Sequence, residues 1–291
     1  MVKISFLRSR KKRRLLILSV VLALLAGIAV RIIHSNTVPA LTEISVPAKG
    51  LPEGFDGFRI VQVSDLHDAE PGKNHKRTLD LIRKAKPDVI FLTGDMIDGH
   101  EGRTDPDLTV DFVKQAMEIA PCYYVTGNHE GMIPYAIYAQ LERELADLGV
   151  KFLHRESVTL VRNGDTATIV GIDSPSFFHP NLPITSLSKL CENNYTILLA
   201  HHPEHIDDYA KAGADLVFSG HAHGGQFRLP FVGGLYAPGQ GLFPAYDGGL
   251  YTVPANEGET LLCVSRGLGN SGFPIRLGNR PEVILAVLEA Q

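Results

Sequence analysis

Five short stretches of this chain concentrate side chains that bind metal ions and move protons. They are Asp65-x-His67, Gly94-Asp95-Met96-Ile97-Asp98, Gly127-Asn128-His129-Glu130, His201-His202, and Gly220-His221-Ala222-His223-Gly224-Gly225. Aspartate oxygens and neutral imidazoles without thiolates suit a pair of manganese, iron or zinc ions, whereas magnesium alone is expected to keep more oxygen ligands and waters. Asp65 and His67, and again His221 and His223, are one residue apart, which in an extended segment turns both side chains to the same side. The adjacent Gly94, Gly127, Gly220, Gly224 and Gly225 permit tight turns beside a crowded site.

Each stretch follows an apolar run with strand character, at 60–63, 89–92, 123–126, 197–200 and 216–219. Further β-type runs fall at 151–153, 158–161 and 167–171, and in the Gly- and Pro-richer C-terminal third at 226–229, 260–265 and 283–288. Helical spacing recurs at 75–85, 108–119, 136–148, 185–191 and 204–211. Short strands between helices predict an α/β sheet covered on its faces. In open sheets of this kind, sites form in the crevice beyond the carboxyl ends of the strands. Five runs that each end in Asp, Asn or His therefore bring ligand chemistry to one edge.

The ordered set D-x-H, G-D-x-x-D, G-N-H-E, H and G-H-x-H resembles the calcineurin-like metallophosphoesterases, from about Phe58 to the end of the chain. The phrases Gly220-His-Ala-His-Gly-Gly-Gln226 and Ser265-Arg-Gly-Leu-Gly269 are similar to a bacterial branch of that family with an N-terminal signal anchor. The resemblance implies a four-layer αββα sandwich with two mixed β-sheets. It implies Asp65, His67 and His223 at a first metal, Asp95 bridging both, and Asn128, His201 and His221 at a second, the ions being Mn2+, Fe2+/Fe3+ or Zn2+. It implies that His129 is no ligand but the catalytic residue, set over the substrate to stabilise charge on the phosphoryl group and help the leaving oxygen take a proton. Two such ions lower the pKa of a shared water and clamp the oxygens of an in-line displacement, which leaves the protein positioning and electrostatic work. Asp98 is expected to orient a histidine or an amide. Glu130 stands where the family more often has Asp, and Ser174 where the branch often has another acid; neither is a ligand position.

At the N-terminus Lys3, Arg8, Arg10, Lys11, Lys12, Arg13 and Arg14, with no acid among them, precede an apolar run over 15–33. About 19 residues at roughly 1.5 Å each is near the length that spans a bilayer. Lys and Arg tend to remain cytoplasmic, so the rest of the chain is expected on the extracytoplasmic side. The expected organisation is a basic N-terminus and transmembrane signal anchor over 1–36, a linker with one short strand over 37–57, and a metallophosphoesterase domain over 58–291. A cleaved signal peptide competes with the anchor, but neither Gly27/Ala29 nor Val38/Ala40 makes a clean A-x-A site. Arg13-Arg14 before Leu15-Leu16 loosely resembles a twin-arginine export signal.

With 291 residues the chain can form one large domain or two small ones. Its net charge of −4 and the confinement of the basic run to the N-terminus give no nucleic-acid-binding signature. Cys122, Cys191 and Cys263 are too scattered for a disulfide framework or a thiolate zinc site, and Cys122 and Cys263 are expected inside strands. Arg266 and Arg276 are candidates for a phosphate fork or for surface pairing. His202 is expected to point away from His201, His179 lies in a loop that could line the pocket, and His75 is expected to be exposed or on a helix face.

The expected activity is hydrolysis of a phosphomonoester, phosphodiester or pyrophosphate bond in an envelope or membrane-associated substrate. A narrower alternative is a UDP-2,3-diacylglucosamine-type pyrophosphatase. An alternative of another class is an envelope binding protein that retains metals without turnover, against which an intact His129 stands. A lactamase-like hydrolase is excluded, because the chain lacks an H-x-H-x-D-H cluster.

Overall fold

The computed structural model describes residues 2–70, 73–174, 185–191, 194–256, 258–270 and 272–291. In chain order the elements are α1 (Val2–Thr37), β1 (Ala40–Ala48), β2 (Arg59–Val63), α2 (Lys76–Ala85), β3 (Val89–Leu92), α3 (Pro106–Met117), β4 (Cys122–Tyr124), α4 (Tyr135–Asp147), β5 (Lys151–Phe152), β6 (Glu156–Arg162), β7 (Asp165–Ile172) and α5 (Thr185–Ser188). There follow β8 (Thr196–Ala200), α6 (Ile206–Lys211), β9 (Leu216–Ser219), β10 (Arg228–Leu229), β11 (Gly233–Gly234), β12 (Tyr236–Ala237), β13 (Gly241–Leu242), β14 (Gly249–Pro254), β15 (Glu259–Val264) and β16 (Glu282–Ala290).

Two six-stranded mixed sheets form, in the orders β1-β16-β2-β3-β4-β5 and β14-β15-β9-β8-β7-β6. The strands nearest the site run parallel, β2 beside β3 and β4 in the first sheet, β8 beside β9 in the second. Alternation along each strand explains the layering. Ile60, Val89, Phe91, Ile197, Leu199, Leu216, Phe218 and Cys263 point into one core between the sheets. Their neighbours Val61, Val63, Ile90 and Leu92 point to a second core under α2, α3 and α4. Leu198, Ala200, Val217 and Leu262 point to a third, with Leu187 of α5 and Ile206 and Tyr209 of α6. Strands apolar on both faces read as continuous hydrophobic runs, and each fully buried side chain of this size stabilises by about 1.5–3 kcal/mol. The result is the expected four-layer αββα sandwich.

One polar residue crosses the middle layer. Gln62 is buried and donates through Nε2 to Thr93 Oγ1 and to the Ser219 carbonyl, each at 2.9 Å, which ties β2 to the end of β9 in the opposite sheet.

The segment 37–57, expected as a linker with a short strand at 43–46, instead carries the nine-residue β1, paired in parallel with β16 from Ala40↔Glu282 to Ala48↔Ala290. Pro47 concealed it, because proline reads as a strand breaker; it is tolerated here on the outermost strand. Val46 and Ala48 then enter the inter-sheet core. His75 is also not exposed: it is fully buried, with its ring 5.4 Å from that of Phe112.

Candidate metal centre

The five stretches meet at one edge of the sandwich. Asp65 and His67 follow β2, Asp95 follows β3, Asn128 and His129 follow β4, His201 directly follows β8, and His221 and His223 follow β9. The β2 and β3 loops are laced by backbone bonds: Asp65 N–H donates to the Gly94 carbonyl at 3.0 Å, His67 N–H to that of Asp95 at 3.0 Å, and Asp68 N–H to that of Met96 at 3.1 Å. Asp65, His67, Asp95, His221 and His223 have φ of 50°, 48°, 52°, 65° and 48°. Each such non-glycine residue costs on the order of 1 kcal/mol or more, and the strain persists because the surrounding lattice over-determines it. Gly94 adopts φ +87° with a built Cβ only 2.5 Å from the Gly127 nitrogen, and at Gly220 a Cβ would fall 1.9 Å from Ser64 Oγ. Both positions require glycine.

Two donor clusters result. Asp65, His67, Asp95 and His223 offer ligand atoms all within 4.8 Å of one another, as do Asp95, His201 and His221, so Asp95 belongs to both. Asp95 Oδ2 lies 3.1 Å from His201 Nε2 and 3.8 Å from His67 Nε2. His223 Nε2 lies 3.1 Å from His67 Nε2 and 3.4 Å from Asp65 Oδ1. His201 Nδ1 faces the Thr93 carbonyl at 2.7 Å, which fixes the proton there and leaves Nε2 as the lone pair. Asn128 Oδ1 is buried without a hydrogen-bond partner among the described residues. Buried acceptors left unpaired in this way are costly unless a cation completes them. The donor set fits a dinuclear centre of divalent ions.

The electrostatics agree. Burial pushes His67 and His221 down to about 3 and holds His223 well below its ordinary range, so these rings offer lone pairs rather than charge. Burial raises Asp65 to about 7. It also opposes a charge on His201, but Asp95 outweighs it and carries that imidazole up to about 10, an Nε2 proton that a cation bound there would displace. Against the same burial, Asp95 is held well below the usual carboxylate range by His201, His67 and His129.

His129 stands over this group without entering either Asp95 cluster. Its Nδ1 accepts the Gly99 N–H at 2.9 Å, and Asp98 Oδ1 lies 3.5 Å away. The neutral ring therefore carries its proton on Nε2, which faces Asp95 Oδ2 at 4.0 Å. Burial keeps the ring's pKa below its usual value. Its main chain serves too: His129 N–H donates to Asp95 Oδ1 at 2.8 Å.

Two buried acids hold the loops, and sequence reasoning undervalued both. Glu130 accepts from the amides of Asp95 at 3.0 Å, Met96 at 2.8 Å and Gly127 at 2.6 Å, and from the Tyr124 hydroxyl at 2.6 Å. Asp68 accepts from the amides of Asp98 and Asp105 and from Thr109 Oγ1, each at 2.9 Å. The only signal for either was an acid directly adjoining a ligand motif. Asp98 meets its expectation as an orienting group: it takes the His100 amide at 3.0 Å and stands 2.6 Å from His100 Nδ1.

His202 does not turn away from the site. Its ring is 4.3 Å from that of His221, Nε2 is 2.8 Å from Ser174 Oγ and Nδ1 is 3.2 Å from Glu204 Oε1. Neither arginine forms a phosphate fork. Arg266 pairs with Glu282. Arg276 is fully buried and donates to the Arg266 carbonyl at 2.7 Å and to Asn270 Oδ1 at 2.9 Å, with Nη2 3.2 Å from His223 Nδ1. His179 lies outside the described residues. All three cysteines are buried as free thiols.

The family model for calcineurin-like phosphoesterases matches residues 58–225. An uncharacterized metallophosphoesterase, YkuE, of Bacillus subtilis (strain 168) is 30% identical over 254 residues, 86% of this chain and 85% of that protein. A transmembrane protein with metallophosphoesterase domain from Bos taurus is 30% identical over 280 residues, 90% of this chain and 60% of that protein. The UDP-2,3-diacylglucosamine pyrophosphatase LpxG of Chlamydia trachomatis is 28% identical over 307 residues, 85% of this chain and 89% of that protein. The stretch Arg10–Thr37 of α1 is long and apolar enough to cross a membrane. Together with the transmembrane relative, it fits a single-pass membrane protein.

Proposed function

Because this chain belongs to the calcineurin-like phosphoesterase family, we propose that it hydrolyses a phosphomonoester, phosphodiester or pyrophosphate bond in a membrane-associated substrate outside the cytoplasm. The observation that carries this reading is the pair of donor clusters sharing Asp95, with the His129 Nε2 side of the ring turned toward that same carboxylate. In this reading Asp65, His67 and His223 would hold one divalent ion, Asn128, His201 and His221 the other, and Asp95, common to both donor clusters, would serve both. Bound there, the two ions supply Lewis acidity and a water acidified to near neutral pH.

The remaining work falls to the chain itself. His129, neutral with its proton on Nε2, donates a hydrogen bond to a phosphoryl oxygen as charge builds and then to the departing oxygen, which takes its proton from solvent. The Gly99 amide, by occupying Nδ1, keeps the proton on the nitrogen that faces the reaction. Burial lowers the ring's proton affinity, and Asp98, whose Oδ1 lies 3.5 Å from Nδ1, offsets part of that. Glu130 and Asp68 keep the loops fixed so that no reorganisation is needed during the reaction.

The basic residues in the first part of α1, Lys3 to Arg14, support a catalytic domain on the far side of the membrane by the positive-inside tendency, with twin-arginine export one route. The likeness to LpxG supports an acylated sugar-nucleotide diphosphate as one member of the substrate class. The test is hydrolysis of p-nitrophenyl phosphate and bis-p-nitrophenyl phosphate by the full-length protein in detergent, chelated and then reloaded with Mn2+ or Zn2+. Rate is expected to return with metal, and His129→Ala to lose about 10²–10⁴-fold in kcat while keeping its metal. A loaded protein inert on both esters and on acylated diphosphates would favour a metal-retaining binding protein instead.

A further inference from the structure

Between Arg228 and Asp247 the chain contains no charged residue, although much of the segment is exposed. It forms the β10–β11 and β12–β13 hairpins. At the tip of the first, Phe231 is fully exposed and Val232 is 56% exposed, with Leu229 beside them. Phe243, 61% exposed, is tied to the same unit by its amide bond to the Leu235 carbonyl at 2.9 Å. Phe273, 52% exposed, joins through Gln226, whose Nε2 donates to the carbonyls of Phe273 and Ile275 at 2.8 Å each, and through its ring, 5.4 Å from that of Phe227. Exposed apolar side chains gathered on one hydrogen-bonded unit of a folded protein mark a contact surface.

What covers it follows from the chain beside it. The segment 275–279 is bound on one side to the hairpin, through the Arg228 amide and the Leu277 carbonyl at 2.9 Å. On its other side it is bound to the end of the membrane helix. Asn36 of α1 exchanges two 2.9 Å bonds with the backbone of Arg276, Ser35 Oγ accepts the Gly278 amide at 3.2 Å, and Arg31 stands 3.7 Å from where a Cβ on Gly278 would be. The same segment reaches the metal centre, since Asn279 Nδ2 donates to the His223 carbonyl at 2.7 Å. Arg31 is the first charged residue after Arg14, at the far end of the apolar run, and five further residues of helix rise only roughly 7.5 Å. The docking point of the segment is thus at the outer edge of a headgroup layer, which is about 5–7.5 Å thick on each face of a bilayer. The three residues from Arg228 to Phe231 span about 10 Å at most.

We propose that the apolar tips at Leu229, Phe231, Val232, Phe243 and Phe273 seat in the interface of the bilayer that α1 crosses, as a second membrane contact that presents the metal centre to phosphoesters borne on lipids. These apolar side chains gain by leaving water for the acyl boundary, as the apolar faces of interfacial elements do. The proposal deepens the membrane-associated reading of the same site and rests on it for the substrate, but not for the contact itself.

The chain has no tryptophan, so Phe231→Trp is a single reporter in the full-length protein. Reconstituted in phosphatidylcholine–phosphatidylglycerol vesicles, its emission is expected at short wavelength and strongly quenched by lipids brominated close to the carbonyl. Val161→Trp, on the exposed side of edge strand β6, is expected to stay unquenched. Unquenched Phe231→Trp emission at long wavelength overturns the proposal. So does a blue shift that ignores bromolipid and grows with protein density, which would assign the patch to a second copy of the chain. In the same vesicles, Phe231→Ser/Val232→Ser is expected to hydrolyse soluble p-nitrophenyl esters at the parent rate and a vesicle-borne phosphoester lipid about tenfold more slowly. If the parent protein hydrolyses neither, the phosphoesterase reading fails while the tryptophan result still decides the membrane contact.

Discussion

At the scale of single residues, the centre depends on acids that bind no substrate. Glu130 is buried and takes four donors, three of them amides of the loops that carry Asp95 and Asn128. Glu130→Ala is expected to leave those donors unpaired, each costing about 1–3 kcal/mol, and to lower stability by about 3 kcal/mol or more. Thermal unfolding of the full-length protein in detergent measures this; a midpoint within a degree or two of the parent contradicts it. The ligand types were legible in the sequence because Asp, Asn and His stood at the ends of apolar runs. The load on Glu130 and Asp68 was not, because an acid beside a ligand motif looks the same whether it faces water or three amides. His202 misled for a related reason: alternation along a strand stops applying once the chain leaves β8 at Ala200.

At the scale of elements, the parallel strands and their helices were legible from periodicity, since both faces of each central strand are buried and each helix shows one apolar face. What was legible only in part were short or proline-bearing strands: β1, of which 43–46 was expected, and the two-residue hairpins after β9, of which only β10 fell within an expected run, because their pairing depends on distant partners rather than on local pattern. One contact between elements gives a pH prediction. His154, following β5, lies 2.6 Å from Glu142 of α4 and 3.0 Å from Asp173 at the end of β7. Burial opposes its charge, but the two carboxylates outweigh it and push the imidazole up to about 9. A folded pKa raised above the ordinary 6.5 means stability fully present below about pH 6.5 and lost as pH rises through about 9. His154→Gln is expected to cost about 1–2 kcal/mol at pH 6, after allowance for a part-exposed ring, and little at pH 10. Unfolding midpoints of parent and variant at the two pH values check this; a gap that widens with pH contradicts it.

At the scale of the whole molecule, two sheets stacked face to face bring the ends of β2, β3 and β4 against those of β8 and β9, and neither sheet alone owns the site. Asp65 of one sheet accepts the His221 amide of the other at 3.0 Å, and His201 reaches back to the Thr93 carbonyl at 2.7 Å. Asp95 is the residue on which both clusters close. The most direct measurement is therefore metal content, by elemental analysis of the full-length protein loaded with Mn2+ or Zn2+ and dialysed, for the parent and Asp95→Asn. The expected result is about two ions per chain in the parent and loss of both occupancy and hydrolysis in Asp95→Asn. A parent that holds a single ion, or an Asp95→Asn variant that keeps two ions and full rate, would contradict a dinuclear centre bridged by Asp95.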